Sequence, residues 1–319
     1  MIVDISVLIH ALEAKHKILK HQDPHWSALI KAQLLWLGSG DWLGDLKPSE
    51  FQMVFVSDNK ANQKYWRHDY LLRADVVASV PRKKKPEEKK RLRLLELLSE
   101  PLDTLEYLEE TTKLTEDLAI HYKAGRKFPS YEFSKLKKLT FETIRALNWQ
   151  QFGQSGYEAD DIAATFVKIN ETLANPNRLI LLTIDSDWMG LVNDNTAWFC
   201  SHGWFPRVRS DSHSCNVWAE KRLKSTLENF RDIWDVKGRQ GDKSDAIPAS
   251  NGALLPIIDL LNPPAEFQLW NQPIAGVIKD ALEFPKFRKV DPKAAIRYIE
   301  QLGVDLCVRP LDNLRDLAA

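Results

Sequence analysis

Short apolar runs alternate with longer amphipathic stretches through the first two-thirds of the chain. Ile2 to Ile5, Phe51 to Ser57, Leu179 to Ile184 and Thr196 to Cys200 read as buried strands. Trp26 to Leu37, Ile162 to Leu173 and a segment near Tyr131 to Leu147 carry apolar residues at helical spacing. Strands separated by helices predict an α/β fold with a mostly parallel central sheet flanked by helices. The ligand crevice of such a sheet lies beyond the carboxyl ends of its strands.

Two regions depart from this alternation. Between Asp58 and Glu158 lie about a hundred residues of charged, helical character, including the basic run Arg82 to Arg93 and a stretch continuing from Leu94 to Leu118. That run is either a solvated helical insertion or a phosphate-contacting one. After about residue 216 the pattern turns helical, with helices expected over Ala219 to Val236, Ala253 to Leu261 and Pro292 to Leu302. The chain thus divides into an α/β domain over 1–215, with an insertion over about 68–150, and a helical region over 216–319.

Polar positions change the picture more than composition does. Asp4 lies in the first apolar run and Asp58 follows the second. Glu158, Asp160 and Asp161 open a helix, Asp185 and Asp187 follow the strand at Leu179, and Asp242 and Asp245 stand in a glycine-containing turn. Nine carboxylates gathered at one end of a sheet repel one another strongly unless multivalent cations neutralise them. Hard cations such as Mg²⁺ prefer oxygen ligands and activate water beside phosphate oxygens. The pattern therefore points to metal-dependent phosphodiester cleavage. Each cluster alone has a plainer reading as a helix cap or polar turn.

Composition is that of an ordinary soluble protein, with 44% hydrophobic and 28% charged residues. No apolar run has the length of a membrane span, and the N-terminus enters a strand rather than a basic and apolar leader. Cys200, Cys215 and Cys307 are too few for a disulfide framework, which fits a reducing cytoplasm. Lys+Arg and Asp+Glu both number 44. With the nine clustered carboxylates set aside, the remainder is basic by nine charges, consistent with a phosphate-binding surface around an acidic pocket. Cys200, His202, His213 and Cys215 are not spaced as a standard zinc motif.

The order of motifs resembles the 5′-nuclease superfamily, the flap endonucleases and 5′–3′ exonucleases with a PIN-like domain. The resemblance rests on Asp4, Asp58, Tyr122-Lys123-Ala124-Gly125-Arg126, Gly156 to Asp161, Asp185-Ser186-Asp187 and Gly241 to Pro248. Asp58-Asn59-Lys60 followed by Tyr65-Trp66-Arg67 is similar to the T-even phage ribonuclease H type. Ala246 stands where the superfamily has Asn.

What the resemblance implies is a Mg²⁺ nuclease with two ions, Mn²⁺ substituting. Asp4, Asp58, Glu158 and Asp160 would hold the first ion. Asp161, Asp185, Asp187 and Asp242 would serve the second, with Asp245 beside them. Lys123 and Arg126 would be catalytic, stabilising charge on the scissile phosphate at the base of a helical arch. A helix-three-turn-helix containing Gly241, Lys243 and Ser244 would grip duplex, with K⁺ between turn and phosphate. Arg67, Lys135 and Lys138 would contact nucleic acid. The implied substrates are branched or 5′-ended DNA and RNA/DNA hybrids, cut by a monomer in primer removal or repair. The implied partners are a polymerase, sliding clamp or single-strand-binding protein. Two alternatives stand beside this reading: a PIN-type ribonuclease, and a non-catalytic structure-specific DNA-binding protein.

Overall fold

The computed structural model describes residues 1–7, 9–10, 51–59, 65–73, 77, 85–102, 104–118, 123, 131–146, 149–200, 207–209, 224, 226–229, 232–240 and 264–285. Six strands form one sheet: β1 (Ile2–Asp4), β2 (Val54–Val56), β3 (Gln150–Phe152), β4 (Leu179–Leu182), β5 (Thr196–Cys200) and β6 (Arg207–Arg209). Their order is β3-β2-β1-β4-β5-β6. The first five are parallel and β6 runs antiparallel on β5. The α/β class and the mostly parallel sheet thus stand as expected.

Both faces of the sheet are covered, as parallel sheets require. Alternation along the strands sends Ile2, Val54, Val56 and Leu181 to one face and Val3, Phe55 and Leu182 to the other. Helix α5 (Ala159–Thr172) covers the first face through Ile162, Phe166 and Ile169. Helix α4 (Tyr131–Ala146) covers the second through Ile144, with Phe133 and Phe141 packed against that cluster. Burying each such side chain contributes roughly 1.5–3 kcal/mol.

Strand order reverses at β1. Chain segments before α5 add strands on one side of β1, and β4 and β5 add on the other. Helices on opposite faces separate at such a reversal, opening a crevice at the carboxyl ends of β1 and β4. Asp4 closes β1, Asp58 follows β2 by two residues, and Asp185 follows β4 by three.

Within the charged insertion, the helical stretch expected through Leu94 to Leu118 falls on two helices that form a hairpin. Helices α2 (Lys85–Ser99) and α3 (Leu105–Asp117) are separated near Pro101. Arg93 forks onto Glu110 at 2.8 and 3.0 Å, and Lys90 meets Asp117 at 2.6 Å. Arg91 pairs with Glu88 one turn away. Much of the described basic run is therefore answered by the hairpin's own acids, which favours the solvated-insertion reading for it. Exposed pairs of this kind add little to stability, because water and salt screen them.

The helix expected over Ala219 to Val236 is also displaced. Residues 226–229 are not helical, and α6 runs Asp232–Gln240. Asp232 sets this start by accepting hydrogen bonds from the backbone N–H groups of Glu228 and Asn229, both at 2.7 Å. Ile233, Trp234 and Val236 of α6 join the same core as α5, together with Ile278 and Leu282 of α7 (Pro273–Glu283). Helix α1 (Trp66–Leu71) contributes Trp66 and Tyr70 to that core. The expected helices at Trp26 to Leu37, Ala253 to Leu261 and Pro292 to Leu302, and the Gly241 to Pro248 turn, lie outside the described residues.

Candidate metal centre

Two backbone devices bring the distant clusters together. Asn59 and Tyr157 form an antiparallel bridge, with N–H to O distances of 2.9 Å from Asn59 to Tyr157 and 2.7 Å from Gly156 to Asn59. Gly156 has φ 84°, a conformation open to glycine but not readily to other residues. The second device is Asp58 itself, whose Oδ1 accepts the N–H of Ala159, at the first turn of α5, at 2.9 Å. The loop after β2 is thus fastened to the start of α5, and the glycine that opens the Gly-Tyr-Glu motif makes the junction possible.

At the start of α5 three acidic residues within four positions, Glu158, Asp160 and Asp161, divide their tasks. Asp160 turns toward the crevice and accepts a hydrogen bond from Trp188 Nε1 at 2.7 Å. Its carboxyl is pushed well above the usual carboxylate range by burial, then by the charges of Asp185 and Asp58. Asp161 turns the other way. Its Oδ2 accepts from the N–H of Glu158 at 2.8 Å, from Arg67 Nη1 at 2.7 Å and from Trp66 Nε1 at 3.2 Å. Glu158 meets the same Arg67 nitrogen at 3.0 Å and pairs with Lys123.

Asp4 is 6% exposed and is held by neutral donors, the N–H of Ser6 at 2.8 Å and Thr183 Oγ1 at 3.1 Å. Burial and then the nearby Asp58 charge, with a smaller contribution from Asp185, raise its carboxyl to about 7. Thr183 also accepts the N–H of Asp185 at 3.1 Å, linking the ends of β1 and β4. Asp185 Oδ1 accepts the N–H of Asp187 at 3.1 Å, which starts the 3₁₀ segment Ser186–Leu191. Carboxylate oxygens of Asp160, Asp185 and Asp187 lie within 4.8 Å of one another.

Seven expected ligands are described, and they form one connected region. They split by partner. Glu158 and Asp161 face Arg67 and Lys123, and Asp185 and Asp187 face Lys237 of α6. Among the described residues, Asp4 and Asp160 accept hydrogen bonds from neutral donors only, and their carboxyls are strongly raised. A buried carboxylate set raised in this way is suited to hard cations, because cation charge replaces the missing neutralisation and oxygen ligands suit Mg²⁺ or Ca²⁺-like ions.

Arg67 requires a correction. Expected at a nucleic-acid surface, it is 2% exposed and forms part of the buried ion-pair network with Glu158 and Asp161. Its position on the first turn of α1, beneath α5, puts the guanidinium inside. Lys138 is exposed and lies 3.8 Å from Glu142. Lys123 has φ 61°, sits over the Tyr65 ring at 4.6 Å and reaches Asp58 at 3.5 Å. Arg126, Gly241, Asp242, Lys243, Ser244 and Asp245 lie outside the described residues, as does the side chain of Lys135. Thr183, Trp188 and Lys237 escaped the sequence reading. Thr183 had the one available signal, a hydroxyl at the mouth of an apolar strand before an acidic pair.

The raised carboxyls have a measurable consequence for the metal-free fold. A carboxyl held above its unfolded value contributes stability that is present below about pH 4 and lost as pH rises through the folded value. For Asp4 that window closes at about 7. Urea unfolding in chelator at pH 5, 6, 7 and 8 is expected to show stability falling by on the order of a few kcal/mol across this range. Saturating divalent ion is expected to flatten or reverse the slope. A metal-free stability that rises steadily from pH 5 to 8 contradicts this account.

Comparison with known proteins bears on this region. Residues 100–219 match the family described as 5′-3′ exonuclease, N-terminal resolvase-like domain. A DNA polymerase I of Chloroflexus aurantiacus is 28% identical over 139 residues, 43% of this chain but 14% of that protein, so the chain spans about one-seventh of its relative. Among solved structures, the phage T5 5′-exonuclease bound to divalent zinc ions superposes with a TM-score of 0.42 at 18% identity, over 100% of this chain and 97% of that one. A bacteriophage T5 flap endonuclease in a pseudo-enzyme–product complex with DNA and metal ions gives 0.41 at 18% identity, over the same shares of both chains. Likeness at that score is one of outline only. Among the described residues no helix is long and apolar enough to cross a membrane. The resemblance to the 5′-nuclease superfamily carried by the motifs is thereby shown, the matched stretch being residues 100–219.

Proposed function

We propose that the chain is a divalent-metal-dependent 5′-nuclease, hydrolysing phosphodiesters near a 5′ end or branch in DNA or an RNA/DNA hybrid. The observation that carries this reading is the convergence of Asp4, Asp58, Asp160 and Asp185, from four distant parts of the chain, at the strand-order reversal of a parallel sheet. Mg²⁺ is the proposed ion, with Mn²⁺ as substitute. When bound, such ions neutralise the carboxylates, acidify a bound water and offset charge on phosphate oxygens. Asp4, Asp58, Asp160, Asp185 and Asp187 are the residues proposed to hold them, with Asp242 and Asp245 as further candidates.

Two acidic positions are assigned differently from the motif expectation. Glu158 and Asp161 orient the start of α5 through Arg67, and in that way position Asp160. Lys123 sits at the rim between Asp58 and Glu158, within reach of a phosphate approaching the acidic pocket. Its ammonium is proposed to counter charge developing on the scissile group, together with Arg126. Duplex grip is proposed for the Gly241 to Pro248 segment with K⁺, and surface contact for Lys135 and Lys138. Primer removal beside a polymerase is the proposed setting.

The test is direct. A labelled 5′-flap duplex, an RNA/DNA hybrid and a single-stranded RNA are incubated with protein and Mg²⁺, then with chelator. Cleavage of the flap or hybrid in Mg²⁺ alone is expected. Cleavage of single-stranded RNA only would point to a ribonuclease, and binding without cleavage to a structural DNA-binding protein. Lys123→Ala is expected to lower kcat by about 10²–10³ with little change in substrate affinity. Equal losses in kcat and affinity would remove Lys123 from the chemical step.

A further inference from the structure

Among the described residues, Arg67 and Lys123 pair with Glu158 on the buried side of the acidic region, and Lys237 pairs with the Asp-x-Asp turn. Lys237 pairs with Asp187 Oδ1 and stands 3.9 Å from Asp185 Oδ1. Asp187 belongs to the trio whose carboxylate oxygens lie within 4.8 Å of one another, so the ammonium engages a carboxylate that a divalent ion in that trio would also use. The side chain is only 14% exposed, which limits screening by solvent. Lys237 is not loosely placed. One turn earlier on α6, Trp234 donates its indole N–H to the carbonyl of Asp187 at 2.8 Å, and its ring closes over Gly190. Helix α6 is thus held to the acidic turn at two points, one ionic and one not.

We infer that Lys237 is a built-in counter-cation of the Asp185–Asp187 pair, which a divalent ion must displace to load there. The inference rests on the metal-dependent reading above and adds to it a coupling. An ion of charge two cannot share Asp187 with an ammonium at contact distance without strong repulsion. Loading therefore frees the Lys237 end of α6, while Trp234 keeps the helix docked. Lys237 is a positioning residue; no contact with substrate is required of it.

Calorimetric titration of the full chain with Mn²⁺ and with Mg²⁺ tests this without substrate. Lys237→Met is expected to tighten at least one divalent-ion site by about tenfold or more and to lower the melting temperature in chelator, since the aspartate pair loses its counter-charge. Lys237→Gln keeps a hydrogen-bond donor without the charge, covers the case in which the methionine variant folds poorly, and is expected to tighten the site similarly. Lys237→Arg is expected to bind as wild type. In wild type, Mn²⁺ is expected to speed amide exchange at the C-terminal turn of α6. A folded Lys237→Gln that binds no more tightly than wild type overturns the inference while leaving the metal centre intact. A folded wild type that binds neither ion overturns the metal-dependent reading and the inference together.

Discussion

Asp160→Asn is expected to lower nuclease activity steeply and stabilise the metal-free protein at the same time. Asparagine keeps the size of the side chain and an oxygen to accept the Trp188 indole N–H. It removes a buried charge that Asp185 and Asp58 oppose. Loss of one electrostatic group at such a centre costs about 10²–10³ in rate. In chelator at pH 8, where the raised carboxyl of wild type is most costly, the variant is expected to unfold at higher urea than wild type. Asp161→Asn, one residue along, is expected to do the reverse. It weakens the acceptor of Arg67, Trp66 Nε1 and the Glu158 N–H, so stability falls in every condition. Parallel urea melts and flap-cleavage rates for the two variants check the contrast. Equal behaviour of the pair would mean that the opposed orientations of Asp160 and Asp161 are wrong.

The second large effect is structural. Arg67→Ala leaves Glu158 and Asp161, both under 10% exposed, without the guanidinium between them. Removing one partner of a buried ion pair costs about 3–5 kcal/mol, because the remaining charges keep their desolvation penalty. The start of α5 should loosen, and Asp160 with it. Activity is therefore expected to fall even though Arg67 touches no substrate. Lysine at this position offers a point charge in place of a planar fork and is expected to recover only part of the stability. Urea midpoints for Arg67→Ala and Arg67→Lys decide the matter. A loss under about 1 kcal/mol for Arg67→Ala would place this guanidinium among weak surface pairs instead.

The carboxylates at strand ends were legible because a parallel sheet delivers its strand ends to one place. Asp4, Asp58 and Asp185 needed only their positions relative to apolar runs. Counter-charges were not legible. Helical spacing puts Glu158 and Asp161 on one face, yet nothing local says that this face meets an arginine. Arg67 itself carries a motif-like context that reads as exposed, and its burial follows from the packing of α1 beneath α5. Lys237 had no local signal, since its partners lie fifty residues away on another element. Strands β3 and β6 escaped notice because three residues are too few to display a period of two. The start of α6 was misplaced because Asp232 caps the helix through backbone groups upstream, a preference that competes with the apolar spacing of Ala219 to Val236.

The seat of Trp234 on Gly190 has a consequence for how this chain can vary. A methyl group built on Gly190 would lie 2.3 Å from Trp234 Cε2, so even alanine there is barred while the indole stays. A smaller residue at 234 would admit a side chain at 190 but would give up the indole hydrogen bond to Asp187. Positions 190 and 234 are therefore free to drift only as a pair, and any descendant that departs from glycine at the first should be found to have surrendered tryptophan at the second.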